Sequence, residues 1–131
     1  MSQIHFHMVG TAPFPVAPYS HAAEAGGWVF VTGQLPLDPA APEAALPAGI
    51  TAQTRRTMEN LREVLESLDL GFGDVAMARI FLTRFKEDYE AMNRVTAEYF
   101  PESRRPARTC IGVTALARDA RVEIGLVAWR V

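Results

Sequence analysis

The chain contains a single cysteine, Cys110. It can form no internal disulfide and cannot supply a multi-cysteine zinc site, so it is inert, redox-active or catalytic. Positive charge is also in short supply: 13 Lys and Arg stand against 15 Asp and Glu, for a net charge of −2. Without a broad positive field there is little to attract phosphate backbones or anionic lipid, which argues against nucleic acid and membrane surfaces as partners. Long apolar runs are missing too. None approaches the length needed to span a bilayer, and the opening "MSQIHFHMVGT" lacks the basic region and apolar core of a signal peptide. A cytoplasmic location is expected.

What remains is ordinary globular composition, 49% apolar and 21% charged, which is too hydrophobic for a disordered chain. A length of 131 residues suits one domain, residues 1–131, able to bury roughly two-thirds of its unfolded surface. No internal repeat, low-complexity tract or linker interrupts it.

The pattern along the chain predicts strands and two helices. "IHFHMV" alternates and suits a first strand, and "TAPFPVAPYSH" is too proline-rich for a regular ladder and reads as an ordered loop. "GGWVFVTGQ" is a glycine-bounded strand rich in aromatic and β-branched residues. From Ile50 to Leu70, the positions Met58, Leu61, Leu65 and Leu68 recur at helical spacing, with Gly71 and Gly73 as the expected stop. "VAMARIFLTRF" reads as a largely covered strand, and a second helix is expected over about Lys86 to Tyr99, with Tyr89, Met92, Val95 and Tyr99 on one face. "ARTCIGVTAL" and "RVEIGLVAWRV" close the order as strands. Helices in this order pack on one face of a mixed sheet, an α/β (α+β) architecture.

Two charges interrupt these apolar runs. Arg108 sits beside Cys110 at the entrance to one strand, and Glu123 lies inside the last. An uncompensated charge is costly in an interior, so each needs a partner, water or a ligand. If the two strands pair as neighbours through "TALARDA", Arg108 and Glu123 meet at one end of the sheet. A salt bridge between them, or an edge strand whose charges reach water, satisfies the same pattern. Cys110 with no histidine near it in sequence fits a small buried hydrophobe. His5 and His7 share one side of a strand but lack a third ligand, which argues against a metal. His21 is either the polar wall of a cleft or part of a turn. Arg104 and Arg105 read as a solvated loop without the aromatic platform that stacks bases.

Taken together and in order, "APYSH", "VFVTGQLPLDP", "QTRRTMENLREVLE", "ARIFLTRFKEDYEAMNRVTAEYF", "RPARTCIGV" and "VEIGLVA" resemble the YjgF/RidA family of reactive intermediate deaminases over nearly the whole chain. The resemblance implies a chorismate-mutase-like fold and a homotrimer with small-molecule clefts between subunits. It also implies hydrolysis of 2-imino or 2-enamino acids to 2-oxo acids and ammonia, with no metal or cofactor. By the same resemblance Arg108 grips the substrate carboxylate, Glu123 is associated with the attacking water, and Tyr19 lines the cleft. Thr32 and Gly33, Asn93, Ala107 and Cys110 fall on substrate-binding positions, Cys110 through its backbone. Two departures stand out: Thr32 replaces the commoner serine, and His21 stands where glutamine is usual. A non-catalytic trimer that senses small carboxylates and regulates a partner enzyme is a second reading. The ribonuclease activity ascribed to some members is a third, disfavoured by the acidic balance.

Overall fold

The computed structural model describes residues 3–131. Six strands form one mixed sheet: β1 (His5–His7), β2 (Ala22–Ala25), β3 (Trp28–Gln34), β4 (Val75–Leu82), β5 (Ala107–Gly112) and β6 (Val122–Trp129), in the spatial order β1-β2-β3-β6-β4-β5. Every pairing is antiparallel except β4 with β5, which are parallel and joined through a helix. Two helices, α1 (Ile50–Ser67) and α2 (Phe85–Ala97), pack on each other and on one face of the sheet. The expected architecture is therefore present. No helix among the described residues is long and apolar enough to cross a membrane.

Alternation in β6 explains how the sheet is covered. Val122, Ile124, Leu126 and Ala128 are buried beneath the helices, whereas Glu123, Gly125 and Val127 turn to the other face. From α1, Met58, Leu61 and Leu65 meet Ile80, Leu82 and Ile124 in the core between the layers. Among the described residues no helix covers the second face, and there Phe6 and Phe30 are about half exposed or more. Patches of this kind mark contact surfaces when they are contiguous.

Three local features depart from the sequence expectation. The Ala-rich segment Ala22–Ala25 is a strand, turned onto β3 by Gly26 and Gly27, whose φ values of 57° and 91° fit a tight hairpin. The first helix stops at Ser67 rather than continuing to Leu70, because Asp69 takes the left-handed conformation at φ 59° and Leu70 N–H returns to the Leu65 carbonyl. The third concerns the last two strands. They do not pair: β4 lies between β5 and β6, and the segment after β5 crosses over it.

Candidate functional site

That topology separates the two charges the sequence singled out. Ala78 of β4 is level with Arg108 on one side and with buried Leu126 on the other, so Arg108 projects on the helix-covered face. Phe81 is level with both Ile111 and Glu123, on the opposite face. The expected meeting of Arg108 and Glu123 within one chain is thus corrected: a strand intervenes, and the sheet itself stands between the two side chains.

Helix α2 positions the guanidinium. Tyr89 and Asn93 are four residues apart and so face the same way. Arg108 donates from Nη1 to Asn93 Oδ1 (2.5 Å) and from Nη2 to Tyr89 Oη (3.0 Å), with its carbon 5.6 Å from the Tyr89 ring centroid. Tyr89 is in turn stacked on Phe85, with centroids 4.9 Å apart. Both acceptors are neutral, and among the described residues no carboxylate lies within ion-pair distance of Arg108. The side chain is exposed. It lines a cavity of about 380 Å³, walled by Ile80, Ala97 and Phe100 and edged by Asn93 and Arg105. This volume lies within the range of small-molecule pockets. The guanidinium is therefore held in orientation, while its remaining N–H donors stay available to an anion.

On the opposite face, Glu123 lies against the bend of β3. The register between β3 and β6 shifts between Val31 and Gln34, a bulge that brings Gly33 over the carboxylate. A Cβ on Gly33 would sit 2.5 Å from Glu123 Oε2, so only glycine leaves this space to the carboxylate. Glu123 has no hydrogen-bond or ion-pair partner among the described residues, and it shares a recess of about 190 Å³ with Arg79, Phe81 and Phe30. Burial pushes its pKa above the ordinary carboxylate value. A carboxylate of raised pKa holds a proton more readily than a solvated one and is a better general base.

A wider recess of about 470 Å³ adjoins it through Phe30 and contains Tyr19, Ser20, Thr32 and Phe6. Thr32 Oγ1 donates to the Ser20 carbonyl (2.6 Å), and Thr32 N–H donates to the His21 carbonyl (2.9 Å), so the threonine fixes the segment that carries Tyr19. His21, left open as cleft wall or turn, is buried. Its Nδ1 accepts from Val9 N–H (2.8 Å), which requires that nitrogen to be bare. Nε2 therefore carries the proton and donates to the Pro13 carbonyl (2.7 Å). The neutral ring staples the proline-rich loop; it is not a wall of the cleft. His7 bonds Glu24.

Cys110 shares the Arg108 face, level with Ile80 and Ile124, and packs against the core. Burial pushes its thiol pKa up, opposed by the Arg108 charge, which favours the inert thiol over a thiolate. Ala107 is level with Met77 and turns its methyl away from the Arg108 cavity.

The structure thus groups Arg108 and Asn93, with Cys110 beside them, on one face, and Tyr19, Thr32, Gly33 and Glu123 on the other. Sequence reasoning assigned Tyr89 only to an apolar helix face and Arg105 only to a solvated loop. The four-residue spacing of Tyr89 and Asn93 was the available signal for the first.

Comparison with known proteins places the fold in a family. The Endoribonuclease L-PSP family matches residues 9–130. A RutC family protein of Pyrococcus horikoshii is 39% identical over 119 residues, covering 91% of this chain and 92% of its own. The 3-aminoacrylate deaminase RutC of Acinetobacter baylyi is 43% identical over 119 residues, covering 91% of each. Among solved structures, E. coli TdcF with bound serine superposes with a TM-score of 0.86 at 28% identity, covering 95% of this chain and 99% of that one. With its mixed sheet, its one-sided pair of helices and this match along almost its full length, the chain belongs to the Endoribonuclease L-PSP family, the YjgF/RidA group that includes the RutC proteins.

Proposed function

We propose that the chain is an imine deaminase that converts 2-imino and 2-enamino acids to 2-oxo acids and ammonia, in clefts between the subunits of a homotrimer. The observation that carries this reading is Arg108: a guanidinium oriented by Asn93 and Tyr89, without an acidic partner among the described residues, at the edge of a small-molecule cavity. A planar cation so held suits bidentate capture of a carboxylate. The trimer is favoured because Arg108 and Glu123 lie on opposite faces of one sheet, so a single small substrate reaches both only where two copies meet. The uncovered apolar face around Phe6 and Phe30 fits such a contact.

The chemistry asks little of the protein. A protonated imine carbon is already electrophilic, and an enamine reaches the same state by protonation at carbon. With the carboxylate on Arg108 of one copy, Glu123 of the next takes a proton from water as the oxygen bonds to the carbon. The carbon–nitrogen π pair moves onto nitrogen. The same glutamate returns its proton to the nitrogen; the carbon–nitrogen bond then breaks and ammonia leaves as the hydroxyl gives its proton back to the glutamate and the carbonyl forms. Positioning of water and substrate supplies most of the acceleration. Tyr19, Thr32 and Gly33 shape the space beside Glu123.

The test generates imine in situ with an amino-acid oxidase or threonine dehydratase and traps the residue with semicarbazide, comparing wild type with Arg108→Ala. Acceleration of imine loss by the wild type, reduced roughly thirty- to several-thousand-fold in the variant, is expected for loss of a charge contact of about 2–5 kcal/mol. Unchanged turnover in Arg108→Ala rejects the anchor. Tight binding of a 2-oxo acid with no acceleration replaces this reading with carboxylate sensing.

A further inference from the structure

The Arg108 cavity has a second cation on its wall, and the deaminase chemistry described above gives that cation no task. Arg105 lines the same cavity, three residues before Arg108 and separated from it by Pro106 and Ala107. We infer that Arg105 is a second anion-binding residue and that this cavity selects small ligands with two acidic groups: 2-imino or 2-oxo dicarboxylates in preference to monocarboxylates.

The two neighbouring arginines are used differently. Arg104 is engaged, its Nε donating to the Gly73 carbonyl at 2.7 Å, where it ties the short turn at Glu102–Arg104 to the turn that leads from α1 into β4. Among the described residues Arg105 makes no such bond and has no carboxylate within ion-pair distance. Its backbone is extended, at φ −71° and ψ 125°, and the proline that follows holds the chain in that conformation. Two positive groups therefore border one cavity with no carboxylate of the described residues within ion-pair distance of either, in a chain whose net charge is negative. Their mutual repulsion is relieved by an anion that reaches both.

The lining between the cations is the right kind for the middle of such a ligand. Ile80, Ala97 and Phe100 offer apolar surface to a short methylene chain, and about 380 Å³ accommodates one with room for water. The two arginines also differ in stiffness. Arg108 is fixed by Asn93 and Tyr89 and suits the carboxylate next to the reacting carbon, which has to be placed accurately. Arg105 is held by nothing comparable and can follow a distal carboxylate through different tail lengths. The preference concerns binding and stands apart from turnover; only the identity of the reacting group rests on the deaminase reading.

Calorimetric titration of the purified chain with 2-oxoglutarate and with 2-oxobutyrate measures the preference directly, for wild type, Arg105→Ala and Arg108→Ala. The wild type is expected to bind the dicarboxylate about tenfold more tightly, the size of one charge-assisted contact. Arg105→Ala is expected to erase that margin by weakening 2-oxoglutarate selectively, whereas Arg108→Ala weakens both ligands. Equal affinity of the wild type for the two acids, no binding of 2-oxoglutarate, or a loss in Arg105→Ala that is absent or equal for both ligands overturns the inference. Parallel assays on imines generated from glutamate and from alanine keep the two claims separate. Selective binding without acceleration of either imine rejects the deaminase reading and leaves the dicarboxylate preference standing; acceleration without selectivity does the reverse.

Discussion

Two glutamates on this sheet, Glu24 and Glu123, have opposite fates. Glu24 of β2 is held by Arg130 (Nε to Oε2, 2.6 Å) and by His7 (3.0 Å), and the Arg130 guanidinium also donates to the Leu68 carbonyl. These contacts, the Arg130 hydrogen bond foremost, hold its pKa below the ordinary value against the opposing effect of burial. Glu123 has no comparable partner among the described residues, and burial alone moves its pKa up. Arginines divide the same way. Arg121 is locked onto buried Asp88 by Nε (3.0 Å) and Nη2, joining the start of β6 to the first turn of α2. Arg108 meets only neutral oxygens at the edge of a cavity. Matched charges hold the fold together; unmatched ones line the recesses, where a ligand and water can complete them.

Substitutions on each side of this division should fail in different ways. Asp88→Ala leaves Arg121 uncompensated and should cost about 3–5 kcal/mol of stability, seen as a Tm lowered by roughly 10 °C or more. A stability close to wild type would mean that the pair is not structural. Arg108→Ala should have the opposite profile: turnover falls as proposed, while chemical denaturation changes by no more than about 0.5 kcal/mol. A large stability loss would place Arg108 with the matched charges instead.

The smallest effect is in pH dependence. Because the native pKa of Glu123 is raised, the native state binds more protons than the unfolded state between the ordinary and the raised value, so this group lowers stability as pH rises through that window. Glu24 acts in the reverse sense: its contribution is present above the ordinary value and is lost as pH falls through its lowered native pKa. Glu123→Gln should therefore be as stable as wild type in acid and more stable by a few degrees in Tm at neutral pH. Glu24→Gln should be less stable at neutral pH and converge on wild type in acid. Identical pH profiles for the two variants would erase the distinction.

Much of this was legible in the sequence, for reasons that also mark where reading stops. Helical spacing of Met58, Leu61 and Leu65 and alternation in β6 are local patterns, and both survive in the core. Alternation along β5 is equally local and places Arg108 and Cys110 on one side and Thr109 and Ile111 on the other. Strand order is not local. A sequence-adjacent pair such as β5 and β6 invites a hairpin, and the intervening β4 becomes visible only once α2 has carried the chain across. The strand Ala22–Ala25 was missed because alanine and glutamate have little β-propensity; pairing on both sides makes it a strand. His21 could be placed in its loop by sequence, but its role depends on the carbonyl of Pro13 and the amide of Val9, which no residue pattern announces.

The central claim is that Arg108 of one copy and Glu123 of another serve a single substrate. Co-expression of Arg108→Ala and Glu123→Gln chains bearing different tags, with isolation of oligomers that contain both, tests it most directly. Each variant alone should be strongly impaired in imine hydrolysis, while the mixed trimers should regain up to about a third of wild-type turnover, because one of the three clefts in every mixed trimer receives both intact side chains. Mixed oligomers no more active than the impaired parents would contradict the claim.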